Sequence, residues 1–178
     1  VPGFDSPTQI HKEQTIHMMA TADVIILIAN AGKPSITGPQ VQIFEGEVDQ
    51  DGIPFNEKIF VFGNKADTAN DAIDANIRVL KNQLERYRIV RPELIERRVV
   101  IGSARAKLEK DRKLPDTGLC TILQTKGIGN GIEEITDSLE CYNNTERFEV
   151  LKKRINRIYT ELEECLSSEL KHCCHTLK

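Results

Sequence analysis

The chain has 178 residues, 39% of them hydrophobic, which suits one folded domain with a sizeable core and argues against disorder. Its 24 basic and 27 acidic residues leave a net charge of -3, too little positive field to favour binding to nucleic acid. The longest apolar run is strand-sized, and the five cysteines lack the spacing of a disulfide framework. We therefore predict a cytoplasmic protein without a membrane-spanning helix and without nucleic acid as a partner.

Three short apolar runs are predicted to be buried strands. They cover residues 23–29 (DVIILIA), 58–63 (KIFVFG) and 98–102 (RVVIG), and all are rich in β-branched residues and bounded by polar residues or glycine. Their hydrophobicity is nearly continuous rather than alternating, which is typical of parallel strands covered on both faces. The sequence therefore predicts an α/β fold with a mostly parallel sheet.

Helices are predicted before and between these strands, over residues 8–21, 37–44 and 70–87. In the last of these segments, apolar residues recur every three or four positions from Ile73 to Tyr87, so one face of the helix is apolar. Two further segments, 45–57 and 106–118, are rich in charged residues and contain proline, and we predict surface loops there.

A glycine-rich turn precedes a helix predicted at 132–142, and the hydrophobic pattern changes after this helix. A long amphipathic helix is predicted from residue 145, because apolar residues recur at alternating spacings of three and four. This apolar seam consists of Phe148, Leu151, Ile155, Ile158, Leu162 and Cys165. Such a seam can pack on its own domain, but the length of the helix favours packing with other helices. We therefore divide the chain into domains at 1–142 and 143–178.

The sequence Asn64-Lys65-Ala66-Asp67 fits the pattern NKxD and follows the second predicted strand directly. Ligands of open α/β sheets bind beyond the carboxyl ends of the strands. The Asp67 carboxylate can accept hydrogen bonds from the ring N–H and the exocyclic amine of guanine, a pair of donors that adenine does not present on that edge. Asn64 can bond the base and tie neighbouring loops together, while the Lys65 stem can lie across the ring.

A second motif follows the third predicted strand. Gly102-Ser103-Ala104-Arg105 is close to the sequence SAK, which supplies a backbone N–H to the guanine oxygen in guanine-binding loops. Arg105 stands where lysine is common, and its guanidinium could still stack on the base. We therefore expect Ser103, Ala104 and Arg105 to close the pocket that Asn64, Lys65 and Asp67 begin.

Taken together, these motifs resemble those of dynamin-like large GTPases of the bacterial type. The first residues, Val1-Pro2-Gly3, are similar to the end of a DxPG motif, and DVIILIANAG, KIFVFGNKAD, VVIGSARA and a long amphipathic helix follow in the expected order. The resemblance implies a Ras-like P-loop GTPase fold that is incomplete at its N-terminus and is followed by the long helix of a bundle. It also implies that Gly3, in the second switch, senses the γ-phosphate.

The resemblance further implies binding of GTP and GDP, Mg²⁺ and GTP hydrolysis, coupled in many such proteins to membrane remodelling at a peripheral membrane site. The phosphate-binding pattern GxxxxGK[ST] does not occur in the chain, and we expect it, with the Mg²⁺ ligands, in a region preceding Val1. No catalytic residue and no metal ligand is therefore assigned to this chain, which we expect to be inactive by itself.

Two alternatives remain open at the sequence level. The chain could be a non-catalytic module that binds helical partners or itself through residues 148–170. A translation-type GTPase would share the base-binding motifs but would not have the trailing helix. The tail sequence His172-Cys173-Cys174-His175 contains zinc-ligand residue types, but adjacent ligands cannot easily complete a tetrahedron from one chain, so a helix-end tail is favoured there.

Overall fold

The structure, a computed structural model, describes residues 9–44, 48–49 and 52–176. Within these ranges, the chain forms eight α-helices and three strands, and its last four α-helices follow one another without an intervening strand. The elements are α1 (Gln9–Thr21), β1 (Ile25–Asn30), α2 (Gly38–Phe44), β2 (Ile59–Asn64), α3 (Ile73–Arg86), α4 (Ile95–Arg98), β3 (Val99–Ile101), α5 (Ala104–Lys110), α6 (Leu119–Thr125), α7 (Ile132–Asn144) and α8 (Glu146–Thr176). No described helix has both the length and the apolar composition needed to cross a membrane.

The three strands form one parallel sheet in the order β1-β2-β3, with Ile25 paired to Ile59 and Val61 paired to Val99. This arrangement confirms the predicted α/β class and the parallel sheet. The central strand β2 is buried along almost its whole length, as its continuous hydrophobicity predicts. The edge strand β1 differs from the prediction, because Ile26 and Ile28 on its second face remain exposed.

Helices cover both faces of the central strand. Val61 of β2 packs in one buried cluster with Leu80 and Leu84 of α3. Phe60, whose side chain points to the opposite face, packs with Ile135 and Tyr142 of α7. The sheet therefore forms the middle layer between α3 and α7, and the loops that follow the strands lie at one end of this layer.

The predicted loop at 106–118 is wrong in its first part, where α5 runs from Ala104 to Lys110. The Ser103 hydroxyl caps this helix by accepting the N–H of Ala106 at 3.3 Å. The helix also contains charged pairs at i,i+4, among them Arg105 with Glu109. The high charge content that indicated a solvated loop therefore belongs to a short capped helix, and α6 follows it at Leu119.

A single non-helical residue, Thr145 with φ -126° and ψ -65°, separates α7 from the long helix α8. The predicted long helix is confirmed, with bounds Glu146–Thr176. Its first turns pack on the rest of the protein, where Val150 is buried. All described side chains from Ile155 to His172 are exposed, so the second half of α8 has no covering layer in the described residues. The domain division at residue 142 stays a prediction.

Candidate functional site

Loops that follow the three strands meet the 127–131 loop at one end of the sheet, here called the carboxyl edge. The Ala31 N–H donates to the Asn64 carbonyl at 2.7 Å, and the Ala66 N–H donates to the Gly102 carbonyl at 3.0 Å. The Ser103 N–H in turn donates to the Asn130 carbonyl at 2.9 Å. The loops that carry NKAD and GSAR are therefore held side by side by backbone hydrogen bonds.

Asn64, the last residue of β2, links two of these loops through its side chain. Its Oδ1 accepts the backbone N–H of Lys65 at 2.8 Å and the backbone N–H of Ala104 at 2.9 Å. The second bond joins positions 40 residues apart in the chain. The loop-tying contact expected of Asn64 is thus present, and it uses the amide oxygen.

The turn after Asn64 is tight. Lys65 adopts the left-handed conformation, with φ 65° and ψ 30°, and its carbonyl accepts both the N–H and the hydroxyl of Thr68 at 3.0 and 2.8 Å. Its side chain is exposed, whereas Ala66 is buried beneath the turn. Asp67 is half-buried, and its carboxylate forms no hydrogen bond or ion pair with any residue in the part of the chain described. Asp67 therefore presents at this edge a carboxylate that has no partner among the described residues.

The three residues of the second motif have structural contacts of their own. The Ser103 hydroxyl is buried and caps α5, while the Ala104 N–H is bonded to Asn64. Arg105 donates through Nε to a Glu109 carboxylate oxygen at 3.2 Å, and 58% of its side chain is exposed. The backbone N–H of Thr117 is the main cause that lowers the pKa of Glu109, against the effect of burial, so Arg105 faces an ionised carboxylate. Contact of Arg105 with a base stays a prediction.

The loop at 127–131, predicted as a glycine-rich turn, lies against the end of β3. A Cβ atom on Gly102 would lie 2.3 Å from the Asn130 carbonyl oxygen, so this close approach requires glycine. Asn130 also caps α7, because its Oδ1 accepts the N–H groups of Ile132 and Glu133 at 2.9 and 3.2 Å. The sequence analysis missed Asn130, although an asparagine just before a predicted helix is a recognised cap signal.

Glu133 beside this loop is held ionised. Hydrogen bonds from Lys110, Lys107 and Asn130 lower its pKa to about 2. These contacts connect the start of α7 to α5, next to the GSAR turn. The loop arrangement at the carboxyl edge therefore depends on ionised carboxylates at its base, whereas Asp67 at its rim is left without such contacts in the described chain.

The opposite end of the sheet, here called the amino edge, contains a buried ion pair that the sequence analysis did not find. Lys58 Nζ lies 3.0 Å from Asp49 Oδ2, and both side chains are fully buried. Arg154 of α8 bonds the same carboxylate oxygen at 2.9 Å. Burial would raise the pKa of Asp49, but hydrogen bonds from the Ile53 N–H, Lys58 and Arg154 together hold it below its ordinary value of 3.8.

Further ion pairs join α8 to residues that stand just before the strands. Arg147 bonds Asp23 at 3.2 Å, and Lys153 bonds Glu57 at 2.6 Å. Glu146 pairs with both Arg97 and Arg98. Charged groups at the amino edge are thus matched by groups of opposite charge on α8.

Some predicted residues lie outside what the structure describes. Gly3 and the rest of the DxPG resemblance fall in residues 1–8, and the side chains of Cys173, Cys174 and His175 are likewise not described. Among the described residues, no group of three or more His, Cys, Asp or Glu side chains is placed to hold a metal ion. The assignments of Gly3 and of the tail therefore stay predictions.

No protein-family model matches the chain, and no curated protein matches it. The assignment of a ligand therefore rests on the geometry of the carboxyl edge and on the chemistry of its side chains.

Proposed function

We propose that the carboxyl edge binds the base of a guanine nucleotide, as part of a GTP-hydrolysing protein of the dynamin-like type. The observation that carries the proposal is the side chain of Asn64, which joins the NKAD turn to the GSAR turn at the ligand-binding end of a parallel sheet. Two motifs that each suggest guanine recognition are 40 residues apart in sequence, and this contact places them next to each other.

The chemistry of Asp67 supports guanine over adenine. A carboxylate accepts two hydrogen bonds, and guanine offers a ring N–H and an amine on one edge. The Asp67 carboxylate has no partner in the described chain, so base binding would not have to displace an existing contact. Such an acceptor discriminates strongly between the two bases, because a bound adenine would remove its water and leave it unpaired.

The neighbouring residues would complete the base site. The Lys65 side chain is exposed on the turn next to Asp67 and has an aliphatic stem that can cover a ring. The turn of Ser103, Ala104 and Arg105 would close the opposite side of the base. Since the Ala104 N–H is already bonded to Asn64, a base oxygen would have to share this donor with the Asn64 amide.

A Ras-like fold is part of the proposal and is supported by three parallel strands in sequence order, with α3 and α7 on opposite faces. The chain contains no GxxxxGK[ST] sequence, and its described residues offer no cluster that could hold Mg²⁺. We therefore assign phosphate binding, Mg²⁺ and hydrolysis to the whole GTPase that the resemblance implies, together with any membrane remodelling, and derive no catalytic step in this chain.

The base assignment is tested by exchanging the acceptor pair of Asp67. In Asp67→Asn, one amide oxygen still accepts the ring N–H, but the amide NH₂ meets the guanine amine, whereas it matches the 2-oxo group of xanthine. We expect the wild-type chain to bind GDP more tightly than ADP or XDP, and the variant to prefer XDP. An ¹⁵N NMR titration at millimolar nucleotide suits the weak binding expected without a phosphate-binding loop.

The matched control is Asp74→Asn, which removes an exposed carboxylate in the first turn of α3. This variant should keep the guanine preference of the wild type. Shifts of equal size with GDP and ADP in the wild type, or an unchanged preference in Asp67→Asn, would overturn the proposal.

A further inference from the structure

One face of α8 carries a continuous line of exposed apolar side chains, here called the α8 stripe. Its members are 37% to 70% exposed, and their spacing follows the repeat three, four, four. They are Phe148, Leu151, Ile155, Tyr159, Leu162, Leu166 and Leu170. Ile158 is also exposed and flanks the stripe. The pattern extends the predicted seam beyond residue 165 and changes its period.

The period of the α8 stripe is 11 residues, as the positions of Phe148, Tyr159 and Leu170 show. Such a repeat averages about 3.67 residues per turn, close to the ~3.6 of an unstrained helix. The stripe therefore stays on one side of a nearly straight helix for about 33 Å. Two such helices can lie against each other along this whole length without strong supercoiling.

The rest of the described chain does not cover the α8 stripe. Val150 and Arg154, which contact the protein body, lie on another face of the helix. Seven large apolar side chains from each of two copies would bury on the order of 1,000 Å² in total, roughly the lower bound for a specific interface. Exposed apolar patches of this extent mark interaction surfaces.

The charges of α8 are distributed unevenly along its length. Residues 146–157 contain five basic and two acidic side chains, whereas residues 158–172 contain four acidic and one basic. A parallel pair of these helices would place like charges next to each other. Arg147, Lys153 and Arg154 are already paired with the protein body, so the orientation depends on the charges that flank the stripe. An antiparallel pair places Lys152 of each helix beside the acidic half of the other, which favours this orientation.

We propose that two copies of this chain pair antiparallel through the α8 stripe. With Tyr159 near the two-fold axis, Phe148 faces the partner's Leu170, and Ile155 faces the partner's Leu162. The same register brings Lys152 beside the partner's Glu163. In the described chain, neither of these charged side chains has a hydrogen-bond or ion-pair partner, so the pairing supplies one. This interface is independent of the proposed nucleotide site.

The first test measures the oligomeric state of the full chain by sedimentation equilibrium at 1 to about 100 µM. We expect a dimer for the wild type and at least a tenfold weaker association for Leu162→Glu, because two carboxylates would meet apolar side chains in each dimer. The control Ser168→Glu adds the same charge off the stripe and should leave the dimer unchanged. Since residue 162 is exposed in the single chain, circular dichroism should show unchanged helix content in all three.

The second test measures orientation by disulfide cross-linking in a chain whose five cysteines are replaced by serine. Phe148→Cys mixed with Leu170→Cys should give a cross-linked heterodimer, while neither variant cross-links with itself. Self-cross-linking of Phe148→Cys would show a parallel pair and overturn the proposal. A wild-type chain that remains monomeric at about 100 µM would overturn it as well.

Discussion

The amino edge and the rim of the carboxyl edge differ in whether their charged side chains are paired. At the amino edge, acidic and basic groups are paired across elements, as in the buried contact of Asp49 with Lys58 and the contact of Asp23 with Arg147. At the rim of the carboxyl edge, the loops are joined by backbone groups and by the amide of Asn64, and Asp67 has no such partner in the described chain. Ion pairs join the elements at the amino edge and at the base of the carboxyl edge, whereas at the rim of the carboxyl edge one carboxylate is left available for a ligand.

Paired charges and unpaired charges have different physical effects: the former contribute to stability, and the latter are available to bind a ligand. A buried charge loses its hydration, and the attraction and hydrogen bonds of its partner offset this loss, so removal of one member leaves an uncompensated charge and is costly. A carboxylate without a protein partner contributes little to folding but offers its full acceptor capacity to a ligand. Substitutions at the two ends should therefore differ in what they change, and this expectation can be measured.

The largest expected effect is at the amino edge. Lys58→Met removes one member of a fully buried pair and leaves the buried Asp49 carboxylate without its lysine partner, so we expect a loss of about 3–5 kcal/mol in the free energy of unfolding. Urea denaturation measures this loss. The control Asp23→Asn removes ion pairs in which Asp23 is half-exposed, and we expect a loss below about 1 kcal/mol. Equal losses in both variants would contradict the distinction between buried and exposed pairs.

A smaller effect is expected at the carboxyl edge. Asn64→Ala leaves two backbone N–H groups without their acceptor, which should lower the free energy of unfolding by about 1–3 kcal/mol. Asn64→Asp keeps an acceptor oxygen and should recover most of this stability. In the ¹⁵N NMR spectrum, Asn64→Ala should shift the resonances of both turns, and a change confined to the NKAD turn would show that the side chain does not couple them.

The smallest and most gradual effect is expected from acid. The folded pKa of Glu133 is about 2, below its ordinary 4.5, and that of Asp49 is also lowered, so both carboxylates stabilise the fold when ionised. Their contribution is complete above the pKa values of the unfolded chain and is lost as pH falls through the folded values. The urea midpoint should be constant from pH 5 to 7 and decrease from about pH 4.5 towards 2. Glu133→Gln should flatten this decrease, and an identical slope would contradict the assignment.

The local pattern of apolar residues was sufficient to predict the parallel sheet and the main helices. The strand Ile59–Asn64 is buried as its unbroken apolar run predicts, and α3 has the predicted apolar face. The short helix α5 was missed because a charged segment with few apolar residues has no periodic signal. Its cap, Ser103, was assigned only to a ligand, although serine before a helix also has a structural use.

Contacts between distant segments could not be predicted in the same way. The NKAD pattern identifies Asn64 and Asp67 from four neighbouring residues, but the bond from Asn64 to the Ala104 N–H depends on how β2 and β3 pair. The buried pair of Asp49 and Lys58 likewise joins a loop to the start of a strand. Neither residue differs in the sequence from an ordinary surface charge, so only the packed structure reveals them.

The backbone at Lys65 has a consequence for this edge. A residue with a side chain is less stable than glycine at φ 65°, by about 1 kcal/mol or more. The turn thus has a long cationic side chain at a position where glycine would strain the backbone least. The same geometry limits which replacements can separate the turn conformation of Lys65 from the proposed contact of its stem with a base. Glycine would lower the backbone strain but remove the stem, and a β-branched residue would increase the strain.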